Sequence, residues 1–293
     1  MVDNQMFQHS QVEVDGSSVH VVEAGAPDGK PVLFLHGWPQ SWRTWQQVMS
    51  LASGQARVLA IDLPGVGRST GNATDGSKSE LAAVVHQLVA ALGLEDLTLV
   101  GHDAGGMVVY SYLRRFGDVE RAVIMDTVIP GVDPWGEVLR NPYIWHFAFH
   151  SIPDLPERLV QGRQREYFDY FLDVLTPDPS KITSEARNAY AAAYAEESAL
   201  TAGFSWYRTL TQDAAANLAA SDGPPATTPL LYLRGEREGG RIADYIEGFR
   251  TAGLSDVRDG VVSGAGHFTQ EENPDETWRL IAHFAGLLAP LCG

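Results

Sequence analysis

The chain has 293 residues, 44% of them hydrophobic, which is enough for one large α/β domain or a core with a smaller insertion and excludes wholesale disorder. A net charge of −16 gives a surface that repels nucleic acid and anionic membrane, so neither is expected as a partner. The single cysteine, Cys292, permits no internal disulfide; with a polar, acidic start and no apolar run near the ~20 residues of a membrane span, it sets a cytoplasmic location as the expectation.

In chain order, "QVEVDG" and "SVHVVEAG" flank an Asp-Gly turn and read as an antiparallel hairpin. "PVLFLHG", "ARVLAIDLPG", "LTLVGHD", "RAVIMDT" and "PLLYLRG" are continuous apolar runs, the pattern of strands buried on both faces of a parallel sheet. "KSELAAVVHQLVAALG" and "GGMVVYSYLRRFG" between them have helical spacing and glycine stops. After about Pro130 the strand pattern lapses into aromatic-rich helical runs: "NPYIWHFAFHSI", "QREYFDYFLDVL", "SEARNAYAAAYAEE" and "AGFSWYRTLTQDAAANLAA". "SDGPPATTP" reads as a linker before strands resume at Leu230. The expected fold is α/β, a mostly parallel sheet flanked by helices: a core of residues 1–130 and 223–293 with an inserted helical lid of residues 131–222.

Residues 99–106, "LVGHDAGG", join a strand to a helix. Gly101, Asp103 and Gly105 keep the frame of the Gly-x-Ser-x-Gly turn of α/β hydrolases, with aspartate in the serine position. The N-terminus of the following helix should keep that carboxylate ionised. A carboxylate there attacks sp3 carbon to give an ester, which suits epoxides and carbon–halogen bonds. The competing reading is an Asp that only caps the helix.

"GAGHFTQEENP" places His267 in a Gly-rich turn after a last strand-like run, "VRDGVVSG", where it would activate water against the ester. Two places offer a carboxylate to orient it. Asp126 directly follows an apolar run, so its burial would demand a partner. Glu236 and Glu238 follow "PLLYLRG", where a solvated loop charge is the commoner fate. "FLHGWPQSW" supplies the Trp38 backbone N–H, which with that of Ala104 would form an oxyanion hole. Lone Cys292 is expected to be incidental. No clustered metal ligands and no P-loop Lys-Ser/Thr are present, so neither metal nor cofactor is expected.

Together "HGWPQSW", "DLPGVGRS", "GHDAGG", "MDTVIP" and "GAGHFTQEENP" resemble the epoxide hydrolase and haloalkane or haloacid dehalogenase branch of the α/β-hydrolase fold over nearly the whole chain. The resemblance implies Asp103 as nucleophile and His267 as base. "YIWHFAFHSI" and "GFSWYRTL" look like the lid of Cif-like epoxide hydrolases, which protonate the epoxide oxygen with a His/Tyr pair where most relatives use two tyrosines. That likeness implies His146 and Tyr207 as the pair, with His150 a spare, and Asp126 as the acid. Trp38, Trp145, His150, Trp206 and Phe268 are the expected pocket residues.

The implied reaction is hydrolysis of an epoxide to a vicinal diol, with a small-molecule epoxide and water as partners and a homodimer left open. A dehalogenase is the rival. Haloalkane dehalogenases typically carry Trp after the nucleophile and Asn after the His-Gly, and fluoroacetate dehalogenases carry arginines past the nucleophile; here these positions hold Ala104, Trp38 and Met107. Trp145 and His146 do resemble fluoride-pocket residues. A non-catalytic ligand-binding hydrolase fold is the rival of another class.

Overall fold

The computed structural model describes residues 6–71 and 75–288, so Cys292 lies outside the described residues. The first hairpin pairs β1 (Gln8–Val14) with β2 (Ser17–Ala24) through Asp15 and Gly16, both at positive φ as a tight hairpin turn requires. The remaining strands are β3 (Pro31–Leu35), β4 (Arg57–Ile61), the two-residue β5 (Thr70–Gly71), β6 (Thr98–His102), β7 (Arg121–Met125), β8 (Leu230–Gly235) and β9 (Val257–Val262). They form one sheet in the order β1-β2-β4-β3-β6-β7-β8-β9, with β5 paired to β2. Pairing is parallel from β4 through β9 and antiparallel wherever β2 takes part.

Residues of one strand divide between two apolar clusters, one on each face: Leu33 and Leu35 join one, Val32 and Phe34 the other. That is why these runs are continuously apolar instead of alternating. The helices α1 (Gln46–Ala52), α2 (Lys78–Ala91) and α3 (Ala104–Arg115) come from the first half of the chain. Leu81, Val85 and Leu88 of α2 and Val108 of α3 cover the first face, and Val48 and Met49 of α1 the second.

Between β7 and β8 the chain holds no strand. It forms α4 (Trp135–Val138), α5 (Trp145–Ser151), α6 (Leu155–Val160), α7 (Gln164–Val174), α8 (Ser184–Ala193), α9 (Glu197–Arg208) and α10 (Leu210–Ser221). The run "AGFSWYRTLTQDAAANLAA", read as one helical pattern, is two helices that meet at Thr209. After β8, α11 (Ile242–Thr251) leads to β9; α12 (Thr269–Glu272) and α13 (Pro274–Phe284) follow it, with Trp278 and Ile281 on the second face.

Candidate active site

The carboxyl ends of β6, β7 and β8 converge on one cavity of about 140 Å³. Asp103 and Asp126 follow β6 and β7 with left-handed backbones, φ 50° and 48°. Few residues with a Cβ hold that conformation, and such strain concentrates at functional turns. At Asp103 the surroundings enforce it. A Cβ on Gly105 would sit 2.4 Å from the Leu35 carbonyl, and one on Gly37 would meet the Asp103 Cβ at 2.3 Å. The frame glycines therefore let the β3 loop and the β6 turn touch.

That contact brings backbone donors to the carboxylate. The Trp38 amide donates to Asp103 Oδ1 at 2.8 Å, and the Ala104 amide at the start of α3 also donates to it. His36 shapes the loop that aims Trp38: its Nδ1 bonds the Gly37 carbonyl at 2.8 Å and its Nε2 accepts the Leu63 amide at 2.9 Å. Asp103 Oδ2 faces His267 Nε2 at 3.8 Å, beyond direct hydrogen-bond reach.

His267 is held on every side. Its Nδ1 donates to Glu238 Oε1 at 2.8 Å, and Glu238 Oε2 pairs with Arg234 Nη2 at 2.8 Å. Its backbone N–H donates to the Leu175 carbonyl at 3.1 Å, and its own carbonyl accepts from His102 Nε2 at 2.7 Å. The neighbouring Gly266 and Phe268 amides both donate to the Glu272 carboxylate at 2.9 Å.

Burial alone would lower the His267 pKa, but the Glu238 hydrogen bond and charge, with Asp103 behind them, push it up to about 9. Burial likewise opposes ionisation of Glu238, yet His267 and Arg234 hold it down at about 2. For Asp103 burial wins: its pKa is raised despite His267 and the two amides, so the helix start only moderates the cost of burying this charge. His146 falls to about 3 through burial, so its ring is neutral. Burial, with Asp103 nearby, keeps the Tyr207 hydroxyl protonated.

The structure does not bring Asp126 to His267 in the way the sequence suggests. Its Oδ1 accepts the Gly235 amide at 2.7 Å and its Oδ2 the Thr269 hydroxyl at 2.7 Å, so both oxygens are spent tying β7 to β8 and α12. Burial and the adjacent Glu238 charge raise its pKa well above the carboxylate range. Glu236 is half exposed and accepts the Gly264 amide at 2.8 Å. One signal for Glu238 stood in the sequence: Arg234, a cation ending an apolar strand, needs an acid beside it.

His146, Tyr207, Trp38 and Phe268 line the cavity together with Asp103 and His267. The His146 and Tyr207 rings are 5.8 Å apart. The other expected pocket residues lie elsewhere. Trp145, next to His146 on α5 and so turned about 100° away, is 41% exposed over an outer depression. His150 is buried 4.5 Å behind Trp38 and Tyr207, its Nε2 bonded to the Tyr167 hydroxyl at 2.7 Å. Trp206 does not line this cavity; it is buried beside a small neighbouring void that Asp103 and Tyr207 also line. Among the described residues no group of acidic, His or Cys side chains could hold a metal ion, and no helix is long and apolar enough to cross a membrane.

Comparison with known proteins agrees with this fold. A family model described as alpha/beta hydrolase fold matches residues 30–274, and one described as epoxide hydrolase N terminus matches residues 3–45. The chain is 32% identical over 274 residues to a soluble epoxide hydrolase of Corynebacterium sp. (strain C12), covering 91% of this chain and 93% of that protein. Among solved structures, Cfl2 from Burkholderia cenocepacia superposes with a TM-score of 0.87 at 30% identity, covering 96% of this chain and 97% of the other. The Cif epoxide hydrolase from Acinetobacter nosocomialis superposes with a TM-score of 0.85 at 25% identity, covering 96% and 89%. The chain belongs to the epoxide hydrolases of the α/β-hydrolase fold.

Proposed function

We propose that this epoxide hydrolase opens its substrate by attack of Asp103 on an epoxide carbon, with His267 and Glu238 driving the hydrolysis that follows. The observation that carries the reading is the division of labour on Asp103: Oδ1 is bound by the Trp38 amide at 2.8 Å, while Oδ2 faces His267 at 3.8 Å. An Asp that merely capped α3 would need neither the second loop nor the imidazole.

Attack forms a C–O bond to Asp103 and breaks one ring C–O bond, leaving an alkoxide. His146 and Tyr207 hydrogen-bond to that oxygen in a largely apolar cavity, where such donors count most. Esterification removes the Asp103 charge, one of the charges that keep the His267 proton in place, so the imidazolium can release a proton as the alkoxide takes one up. Neutral His267 then deprotonates water, which adds to the ester carbonyl. The resulting oxyanion sits where the Trp38 and Ala104 amides already point. Collapse expels the diol and restores Asp103. Glu238, not Asp126, fixes the ring and stabilises its charged form.

The same reading takes residues 131–222 as a lid over the core and the cytoplasm as the location, for which the lone cysteine speaks. The test is a panel of epoxides, haloalkanes and haloacids assayed for diol by mass spectrometry and for released halide. Diol formation that disappears in Asp103→Ser is the expected result. Halide release without diol overturns the substrate assignment.

A further inference from the structure

Bordering a small void that Asp103 also lines is a buried ion pair that the mechanism above does not use. Lys78, the first residue of core helix α2, and Asp213, on lid helix α10, are each 3% exposed at the side chain and pair at 2.8 Å. Asp213 serves twice: its Oδ1 also accepts the Lys78 backbone N–H at 2.9 Å, so a lid carboxylate caps the N-terminus of a core helix. The ammonium spends its other protons on the lid. It donates to the Trp206 carbonyl and to Thr209 Oγ1, the latter at 3.2 Å. The Thr209 hydroxyl is also bonded to the Gly76 carbonyl at 3.0 Å.

These partners bracket Tyr207. Trp206 precedes it, and Thr209 is where α9 breaks from α10, as expected where a side chain inserts into a helical hydrogen-bond ladder. Lys78, Tyr207, Asp103 and Ala104 also line one void of about 10 Å³, the occupied volume of a single water. The core lysine, Tyr207 and Asp103 therefore border one small void.

We infer that Lys78 is a positioning residue for ring opening: by holding the Trp206 carbonyl and Thr209 it sets the height and angle at which Tyr207 presents its hydroxyl over Asp103, and Asp213 keeps the ammonium in place. The inference rests on the reading of Tyr207 as a donor to the leaving oxygen. A buried pair is weak evidence for stability, since well-packed apolar residues often serve as well, so the pair invites a reason of this kind.

The test is a double-mutant cycle with styrene oxide in single-turnover measurements, resolving ester formation from ester breakdown. Lys78→Met should slow ester formation about tenfold with Tyr207 present and less than twofold in the Tyr207→Phe background, leaving ester breakdown within twofold. Asp213→Asn, which keeps shape and the α2 cap, should show the same pattern more weakly, and it decides the matter should Lys78→Met fail to fold. Equal losses in both backgrounds, or losses shared by both steps, make the pair a packing feature and overturn the inference. If Tyr207→Phe alone leaves ester formation unchanged, the donor reading falls and this inference with it; if Tyr207→Phe slows ester formation and the losses simply multiply, the inference alone falls.

Discussion

Glu238 Oε1 lies 2.8 Å from His267 Nδ1, on a loop three residues past the end of its strand. The contact gives Glu238→Gln a specific consequence. Ester breakdown should slow by roughly 10²–10⁴, the scale seen when a base-orienting carboxylate is neutralised, while ester formation changes far less. Asp126→Asn should leave breakdown within a few-fold, because its two hydrogen bonds run to Gly235 and Thr269. Stopped-flow resolution of the two steps checks both variants, and the opposite pattern would return the acid to Asp126.

Asp103→Ser should fold and form no alkyl ester. Serine keeps the small polar side chain at the turn but lacks the carboxylate. Intact-mass analysis after rapid quench should find the covalent adduct in His267→Gln, where breakdown is blocked, and none in Asp103→Ser. An adduct on the serine variant would place the nucleophile elsewhere.

His146 and Tyr207, proposed as donors to the leaving oxygen, should overlap in effect. Tyr207→Phe should slow ester formation without abolishing it, because His146 still reaches the same cavity. His146→Ala combined with Tyr207→Phe should nearly stop it, since an alkoxide would then form without a donor. Full ring opening by the double variant would reduce both residues to packing.

The His267 pKa of about 9 sets two pH effects. The base is the neutral ring, so ester breakdown should rise with pH; its limb should fall below 9 because the ester has lost the Asp103 charge, and lower still in Glu238→Gln. For stability the sign is opposite. A cation whose pKa is raised on folding stabilises fully below its unfolded value near 6.5, and that stabilisation is lost as pH rises through about 9. Wild-type protein should therefore lose Tm relative to His267→Gln between pH 7 and 10. Parallel Tm curves would contradict the pairing.

Glu271, beneath the His267 loop, accepts from Gln40 at 2.8 Å, yet burial outweighs its partners and lifts its pKa from 4.5 to about 7. An acid whose pKa is raised by folding loses stability as pH climbs from its unfolded value to its folded one. The cost at pH 8 is about 3 kcal/mol. Glu271→Gln should show a flatter Tm between pH 5 and 8 and exceed wild type at the upper end. A variant less stable at pH 8 would show that the charged form is well satisfied.

The fold was legible because the buried strands β3, β4, β6, β7 and β8 lie in the apolar runs and the turns at Asp15-Gly16 and Asp103 carry the aspartate or glycine that positive φ favours. Asp103, His267 and the two amides were legible for the same reason: local sequence places each at a strand end. The carboxylate that contacts His267 was not, because Asp126 and the Glu238 loop leave adjacent strands at the same edge, and only the third dimension shows which oxygen reaches the ring. Trp145, His150 and Trp206 were misplaced because helical phase, invisible in a run of aromatics, decides which ring faces the cavity. Lys78 and Asp213 carry no local signal, being 135 residues apart.

Trp38 joins the two halves of the molecule within a single residue. Its backbone amide holds Asp103 at 2.8 Å, while its indole lies among lid rings, 4.5 Å from His150, 5.0 Å from Phe171 and 5.8 Å from Tyr207. On the proposed reading of residues 131–222 as a lid, a displacement of these helices is expected to pull on the Trp38 peptide that donates to Asp103. A bulky substrate that wedges the lid open would weaken ester breakdown at a distance, without touching His267, so size selectivity in this enzyme should be written partly into turnover and not only into affinity.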